Sequence, residues 1–195
     1  MSNLQNQKII FLRNVSDNWD RFSNQDGVHA LPKYTMYNMV PEGKVGTEID
    51  YRVIPTLRNK NHRKEASRWA THFVAISQFL EQKEADYLFV CEDSIELQES
   101  QIKQIEQSLK TPGLTILSED ASAYTMDKAA AKIIQQNAYI YYNTWQNILR
   151  DIKTLNLIEV KEDLILKKST KPFIDFELLI IGLFTLLLLL IADDI

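Results

Sequence analysis

The stretch DYLFVCEDSIEL, residues 86–97, decides how the rest of the chain is read. Positions 87–91 are an apolar run with no polar alternation, the pattern of a β-strand covered on both faces. Acidic residues begin where the run stops, at Glu92 and Asp93. In an open α/β sheet ligands bind beyond the carboxyl ends of the strands, so this strand predicts an acidic pair delivered to a ligand-binding edge. Two carboxylates held side by side repel unless a cation or a proton intervenes. One reading is a divalent metal chelating a diphosphate; the other is a pair of solvated acids capping the next segment.

On the amino-terminal side, Trp69, Phe73, Ile76 and Leu80 recur at steps of four, three and four, which predicts a helix of about five turns packed on the sheet. Glu65, Arg68 and His72 form a polar ridge along one flank of that stripe. On spacing alone His72 reads as a satisfied boundary residue. Further back, KIIFLR (8–13) followed by the turn-prone NVSDN predicts an opening strand placed centrally. Gly27, Pro32, Pro41, Gly43 and Gly46 then leave room for loops and one or two short strands, in YTMYNMV and DYRVI.

On the carboxyl side, Ile102, Ile105 and Leu109 predict a helix over 101–109, broken by Pro112 and Gly113, and LTIL supplies another buried strand. Helices are expected over 127–142 and 144–155, the second with Trp145, Ile148, Leu149, Ile152 and Leu155 on one face. Alternation around Ile158, Val160 and 164–166 predicts an edge strand. Strands interleaved with helices in this order make an α/β domain.

At 195 residues, 45% of them hydrophobic and 25% charged, the chain has the balance of one globular domain. A net charge of -4 with scattered basic residues argues against nucleic acid as a partner. Cys91 is the lone cysteine, so no intramolecular disulfide and no cysteine zinc cluster is expected, and it reads as a small buried hydrophobe. MSNLQNQK has no basic segment leading into an apolar one, which predicts no secretory signal and folding in a reducing compartment.

The composition breaks near the end, where KKSTKP gives way to FIDFELLIIGLFTLLLLLIADDI. Positions 178–192 carry no charge and span about 22 Å as a helix, against a hydrocarbon thickness of about 30 Å. Phe173 and Phe176 extend this core, with Asp175 and Glu177 near the interface. The expected organisation is a globular domain over 1–166, a basic linker over 167–172 and a single-pass transmembrane helix over 173–192. A helix buried in a partner subunit is the other reading. Lys167, Lys168 and Lys171 precede the apolar run and place the globular domain on the cytoplasmic side of the membrane.

Residues 65–97, EASRWATHFVAISQFLEQKEADYLFVCEDSIEL, resemble the core signature of glycosyltransferase family 25, the lipooligosaccharide and collagen galactosyltransferase group. That pattern runs Gly-Glu-Ile-Gly, then Ser-His, then a hydrophobic strand ending Leu-Glu-Asp-Asp. Glu65, Thr71 with His72, and Glu92 with Asp93 hold the matching positions. NVSDNWDRF resembles the family's Asn-Leu-x-x-x-x-Asp-Arg through Asn14, Asp20 and Arg21. ASAYTMDKAAAKII resembles its Gly-x-Ala-Tyr-x-x-Ser-x-x-x-Ala-Lys through Ala123, Tyr124, Ala131 and Lys132. The resemblance covers residues 8–165.

It implies a GT-A-like (Rossmann-like) mixed sheet flanked by helices, binding a nucleotide-sugar donor, commonly a uridine diphosphate sugar. It further implies a divalent metal, Mn2+ or Mg2+, held by Glu92 and Asp93, with Asn14, Arg21 and Tyr124 on the nucleotide side. Asp93, His72 and Glu65 would be catalytic, and the acceptor would be a glycan, lipid or protein hydroxyl. Three positions depart from the pattern: Ser94 stands where the last acid belongs, Lys64-Glu65-Ala66-Ser67 replaces the glycine turn, and Asn143 lies where the family carries another acid. The alternative is therefore an inactive glycosyltransferase-fold protein, anchored to a membrane as a structural part of an assembly such as a virion.

Overall fold

The computed structural model describes residues 7–13, 18–41, 52–53, 60–159 and 166–167. In chain order the elements are β1 (Gln7–Arg13), α1 (Asn18–Ser23), α2 (Asp26–His29), β2 (Thr35–Asn38), β3 (Arg52–Val53), α3 (Lys60–Glu81) and β4 (Tyr87–Glu92). A 3₁₀ turn over Glu99–Gln101 leads into α4 (Ile102–Leu109), followed by β5 (Leu114–Ile116), β6 (Ala123–Asp127), α5 (Lys128–Asn137), β7 (Ile140–Tyr141), α6 (Trp145–Asp151) and β8 (Leu157–Glu159).

Six strands form a mixed sheet in the order β2-β1-β4-β6-β5-β8. β1 is parallel to both β2 and β4, β5 is parallel to β8, and β6 runs antiparallel between β4 and β5. β4 is interior, as its uninterrupted apolar run requires, because neither face of it meets water. Alternation along the strands divides the core in two. Ile10, Leu12, Leu88, Val90, Tyr124 and Met126 face α3, α5 and α6, where they meet Trp69, Ile76, Phe79, Ile134, Trp145 and Leu149. Ile9, Phe11, Phe89, Cys91 and Ala123 face the other way, against Phe22, Val28, Ile105 and Leu109 of α1, α2 and α4. The domain is a helix–sheet–helix sandwich, and β3 and β7 make a separate two-stranded pair.

α3 confirms the expected stripe and runs longer, 22 residues or about six turns. The expected helix over 127–142 is shorter, for two local reasons. Asp127 is extended and ends β6; its carboxylate accepts the Ala130 and Gly113 N–H groups, so it caps α5 rather than belonging to it. α5 stops at Asn137, and the Ala138 carbonyl then accepts the Trp69 indole N–H, leaving Ile140 and Tyr141 to pair with Arg52 and Val53. In the resemblance's Ala-Tyr segment, Ala123 and Tyr124 therefore lie on β6, and Ala131 and Lys132 on α5. α6 is also shorter than the expected 144–155: Thr144 caps it, and the extended backbone of Ile152 ends it, although Ile152 and Leu155 stay buried.

β8 is the expected edge strand. Val160, Leu164 and Ile165 of that prediction lie outside the described residues, as do Asn14, all of the linker after Lys167, and the apolar segment 173–192. Among the described residues no helix is long and apolar enough to cross a membrane. Leu166 and Lys167 stitch the chain back across the sheet: the Leu166 N–H reaches the Leu117 carbonyl at 2.6 Å, and the Lys167 carbonyl accepts the Glu96 N–H at 2.9 Å. Gly113 enters β5 at φ 102, with the Asn156 carbonyl where a Cβ would stand.

Candidate functional site

From β1 the chain moves outward to β2, and later returns on the opposite side of β1 as β4. This reversal makes a topological switch point between the carboxyl ends of β1 and β4, the place where open α/β sheets take ligands. Leu12 and Arg13 end one strand and Glu92 the other, and the Asp93 N–H donates to the Leu12 carbonyl at 3.0 Å. The acidic pair therefore lies where the sequence predicts.

Its surroundings are not solvent. Glu92 follows Leu88 and Val90 onto the α3 face of the sheet, as the two-residue period demands. There Arg68 Nε donates to Glu92 Oε1 at 2.6 Å, and His72 Nε2 lies 2.8 Å from the same oxygen. Because a carboxylate only accepts, Nε2 carries the proton, and Nδ1 accepts the Tyr124 hydroxyl at 2.9 Å. Trp145 stacks on the imidazole at 5.1 Å between ring centroids. Arg68 Nη2 continues outward to the Asp120 carbonyl and the Ser122 hydroxyl, both at 2.9 Å, and to the Asp120 carboxylate at 3.4 Å. Glu65 stands 3.9 Å from Nη1, its side chain 36% exposed.

Arg68 brackets Ala121, which sits at φ 59. A left-handed alanine costs about 1–2 kcal/mol and persists where neighbours over-determine it. Here the neighbours are the two residues Arg68 holds, together with the bond from the Glu92 N–H to the Ser122 carbonyl at 2.9 Å.

Burial pushes the Glu92 carboxyl up, but the His72 hydrogen bond and the Arg68 charge outweigh it and bring it down to about 2. Burial lowers His72 against the opposing pull of Glu92, so the ring is neutral at pH 7. Burial lifts Tyr124 well above its usual range, keeping its proton on the oxygen. The Cys91 thiol is raised well above its usual range by burial and then by Glu92 and Asp93, which suits the buried hydrophobe the sequence predicts and not a nucleophile.

Of the predicted site residues, the structure gathers Glu65, His72, Glu92 and Tyr124 into one cluster. His72 is no boundary residue: it is fully buried, with both ring nitrogens used. Asp93 is fully buried at the turn after β4. Arg21 lies on α1, in the layer across the sheet from α3, and stands apart from the Glu92–His72 pair. Sequence reasoning placed Arg68 on the ridge but gave it no role, although its position three after Glu65 and four before His72 was a usable signal. Asp120, Ser122 and Trp145 carried none.

The residues present do not fit a divalent ion held by Glu92. Hard cations take several oxygens in open geometry, whereas Glu92 Oε1 already receives two N–H donors and its charge is met by Arg68. Among the described residues no group of three or more histidine, cysteine, aspartate or glutamate side chains is arranged to hold a metal.

No family model matches the chain, and no curated protein matches it. Among solved structures it is similar to A197 from STIV, at 9% identity and a TM-score of 0.47, over 84% of this chain and 95% of that one. It is also similar to 4-diphosphocytidyl-2C-methyl-D-erythritol synthase from Anaerococcus prevotii DSM 20548, at 7% identity and a TM-score of 0.44, over 85% of this chain and 94% of that one.

Proposed function

We propose that this chain is a GT-A-like glycosyltransferase domain of the family 25 type, held at a membrane through residues 173–192. It takes a nucleotide sugar at the carboxyl ends of β1 and β4 and passes the sugar to a glycan, lipid or protein hydroxyl. One observation carries the reading. The segments that bear the resemblance, on α3, at the end of β4 and on β6, are far apart in sequence, yet His72, Glu92 and Tyr124 meet in one hydrogen-bonded cluster beside the switch point.

The roles differ from those the resemblance implies. His72 spends both nitrogens internally and is a positioning residue that fixes Glu92. Of the three predicted acids, Glu65 has the most exposed side chain, 36% against 6% for Glu92, its Oε2 turned inward towards Arg68, with Asp93 fully buried. Glu65 is the group able to accept a proton from an acceptor hydroxyl as it attacks the anomeric carbon. Asn14 and Arg21, which follow β1 in the chain, are assigned to the donor side. No step is routed through a metal.

The test uses the full chain in mild detergent with a panel of nucleotide sugars and glycan, lipid and peptide acceptors. Transfer from one donor is expected, with Glu65→Gln lowering turnover by about 100-fold or more at unchanged donor affinity. Failure to bind any nucleotide sugar overturns the proposal. A second reading, a structural protein on the same fold, is favoured by the internal saturation of Glu92 and His72. It predicts no turnover with any donor, and assembly that is unchanged in Glu65→Gln.

A further inference from the structure

The cluster at the end of β4 pairs its carboxylate with a cation of the chain itself. Glu92 Oε1 is approached by Arg68 Nε at 2.6 Å and by His72 Nε2 at 2.8 Å, so this carboxylate oxygen is committed on two sides and the carboxylate charge is met by a guanidinium. Arg68 is held in turn by the Asp120 carbonyl and the Ser122 hydroxyl, so turning its guanidinium aside would break three hydrogen bonds. The two following positions complete no cage: among the described residues no three or more histidine, cysteine, aspartate or glutamate side chains are arranged to hold a metal, and Ser94 is a neutral and poor ligand for a hard ion.

We infer that the Arg68 guanidinium occupies the electrostatic place of a divalent ion at Glu92, and that the domain takes its nucleotide ligand without a metal held there. The nucleotide part of this inference rests on the proposed function; the Glu92 part does not. A side chain is a weaker bridge to phosphate than a bound ion, since a metal contacts carboxylate and diphosphate together, whereas Arg68 spends Nε and Nη2 on Glu92, Asp120 and Ser122. Binding of a diphosphate at this edge is thus left to cations on the β1 side, such as Arg13 and Arg21.

The Glu92 part is tested with Mn2+ alone. The full chain in detergent is titrated while the electron paramagnetic resonance signal of free Mn2+ is followed. No saturable stoichiometric site in the micromolar range is expected. Such a site, if lost in Glu92→Gln, overturns the inference. In a second arm, uridine diphosphate binding is measured by calorimetry with Mn2+ and with chelator. Affinities within about twofold are expected, and a tenfold gain with Mn2+ that disappears in Glu92→Gln overturns the inference. No binding of any nucleotide in either condition counts against the proposed function, while the Mn2+ titration still decides the role of Glu92.

Discussion

Replacing Glu92 by glutamine keeps the side chain's shape and an acceptor oxygen, but removes the charge that Arg68 neutralises. In the folded chain this carboxyl titrates at about 2 rather than 4.5, burial being more than offset by the His72 hydrogen bond and the Arg68 charge. At about 1.4 kcal/mol per pH unit, the difference is worth about 3 kcal/mol of stability. The carboxyl is depressed on folding, so its contribution is complete above pH 4.5 and is lost as the pH falls from 4.5 towards about 2. Urea unfolding of the full chain, followed by tryptophan fluorescence, measures this directly, since Trp69 and Trp145 are buried and Trp145 stacks on His72. At neutral pH Glu92→Gln is expected to be about 3 kcal/mol less stable than the parent, with the gap closing below pH 4.5. Parallel loss of stability in the two proteins on acidification refutes the reasoning, as does a gap under about 0.5 kcal/mol at neutral pH.

Further outcomes follow from the same geometry. Burial holds His72 below its usual range, so the unfolded chain takes up a proton first and stability begins to fall below pH 6.5, a window above that of Glu92; His72→Asn should lack this upper limb in the same titration. Tyr124→Phe leaves His72 Nδ1 buried without a donor and is expected to cost about 1–3 kcal/mol, and a loss within error of zero by urea unfolding shows that the hydroxyl does not donate there. Gly113→Ala combines φ 102 with a Cβ placed 2.4 Å from the Asn156 carbonyl oxygen. It should cost more than about 1 kcal/mol and speed hydrogen exchange at Leu114, whose N–H bonds that carbonyl; unchanged exchange contradicts it.

β4 and α3 were legible because each carries its structural role in its own residues. An apolar run without alternation fits only an interior strand, and the four-three-four spacing fits one face of a helix. β6 was not legible. Tyr124 to Asp127 are flanked by the strong helix pattern KAAAKII, and what makes them extended is pairing with β4 and β5 on either side, a long-range cause that a local window does not contain. The candidate site divides the same way. Glu92, His72 and Tyr124 stand out in the sequence through the family resemblance, but that resemblance is blind to what they bond. The partner that changes their chemistry, Arg68, is marked in the sequence only by its helical spacing from Glu65 and His72, and its anchors in the 118–122 loop gain meaning only once β6 has folded back beside β4. Three of the most recognisable residues of this chain, Glu92, His72 and Tyr124, are therefore bonded to one another or to Arg68 inside the fold.

The stitch made by Leu166 and Lys167 carries a mechanical consequence. These residues bond to the exits of β5 and β4 respectively, and Leu166 is buried among Ile95, Leu97 and Leu117. Tension applied to the chain beyond Lys167 enters the domain at this point, and two backbone bonds with one buried leucine yield well before a sheet of six strands does. The first part of the domain to feel a pull is therefore the segment that leaves β4, a few residues beyond the Glu92 cluster.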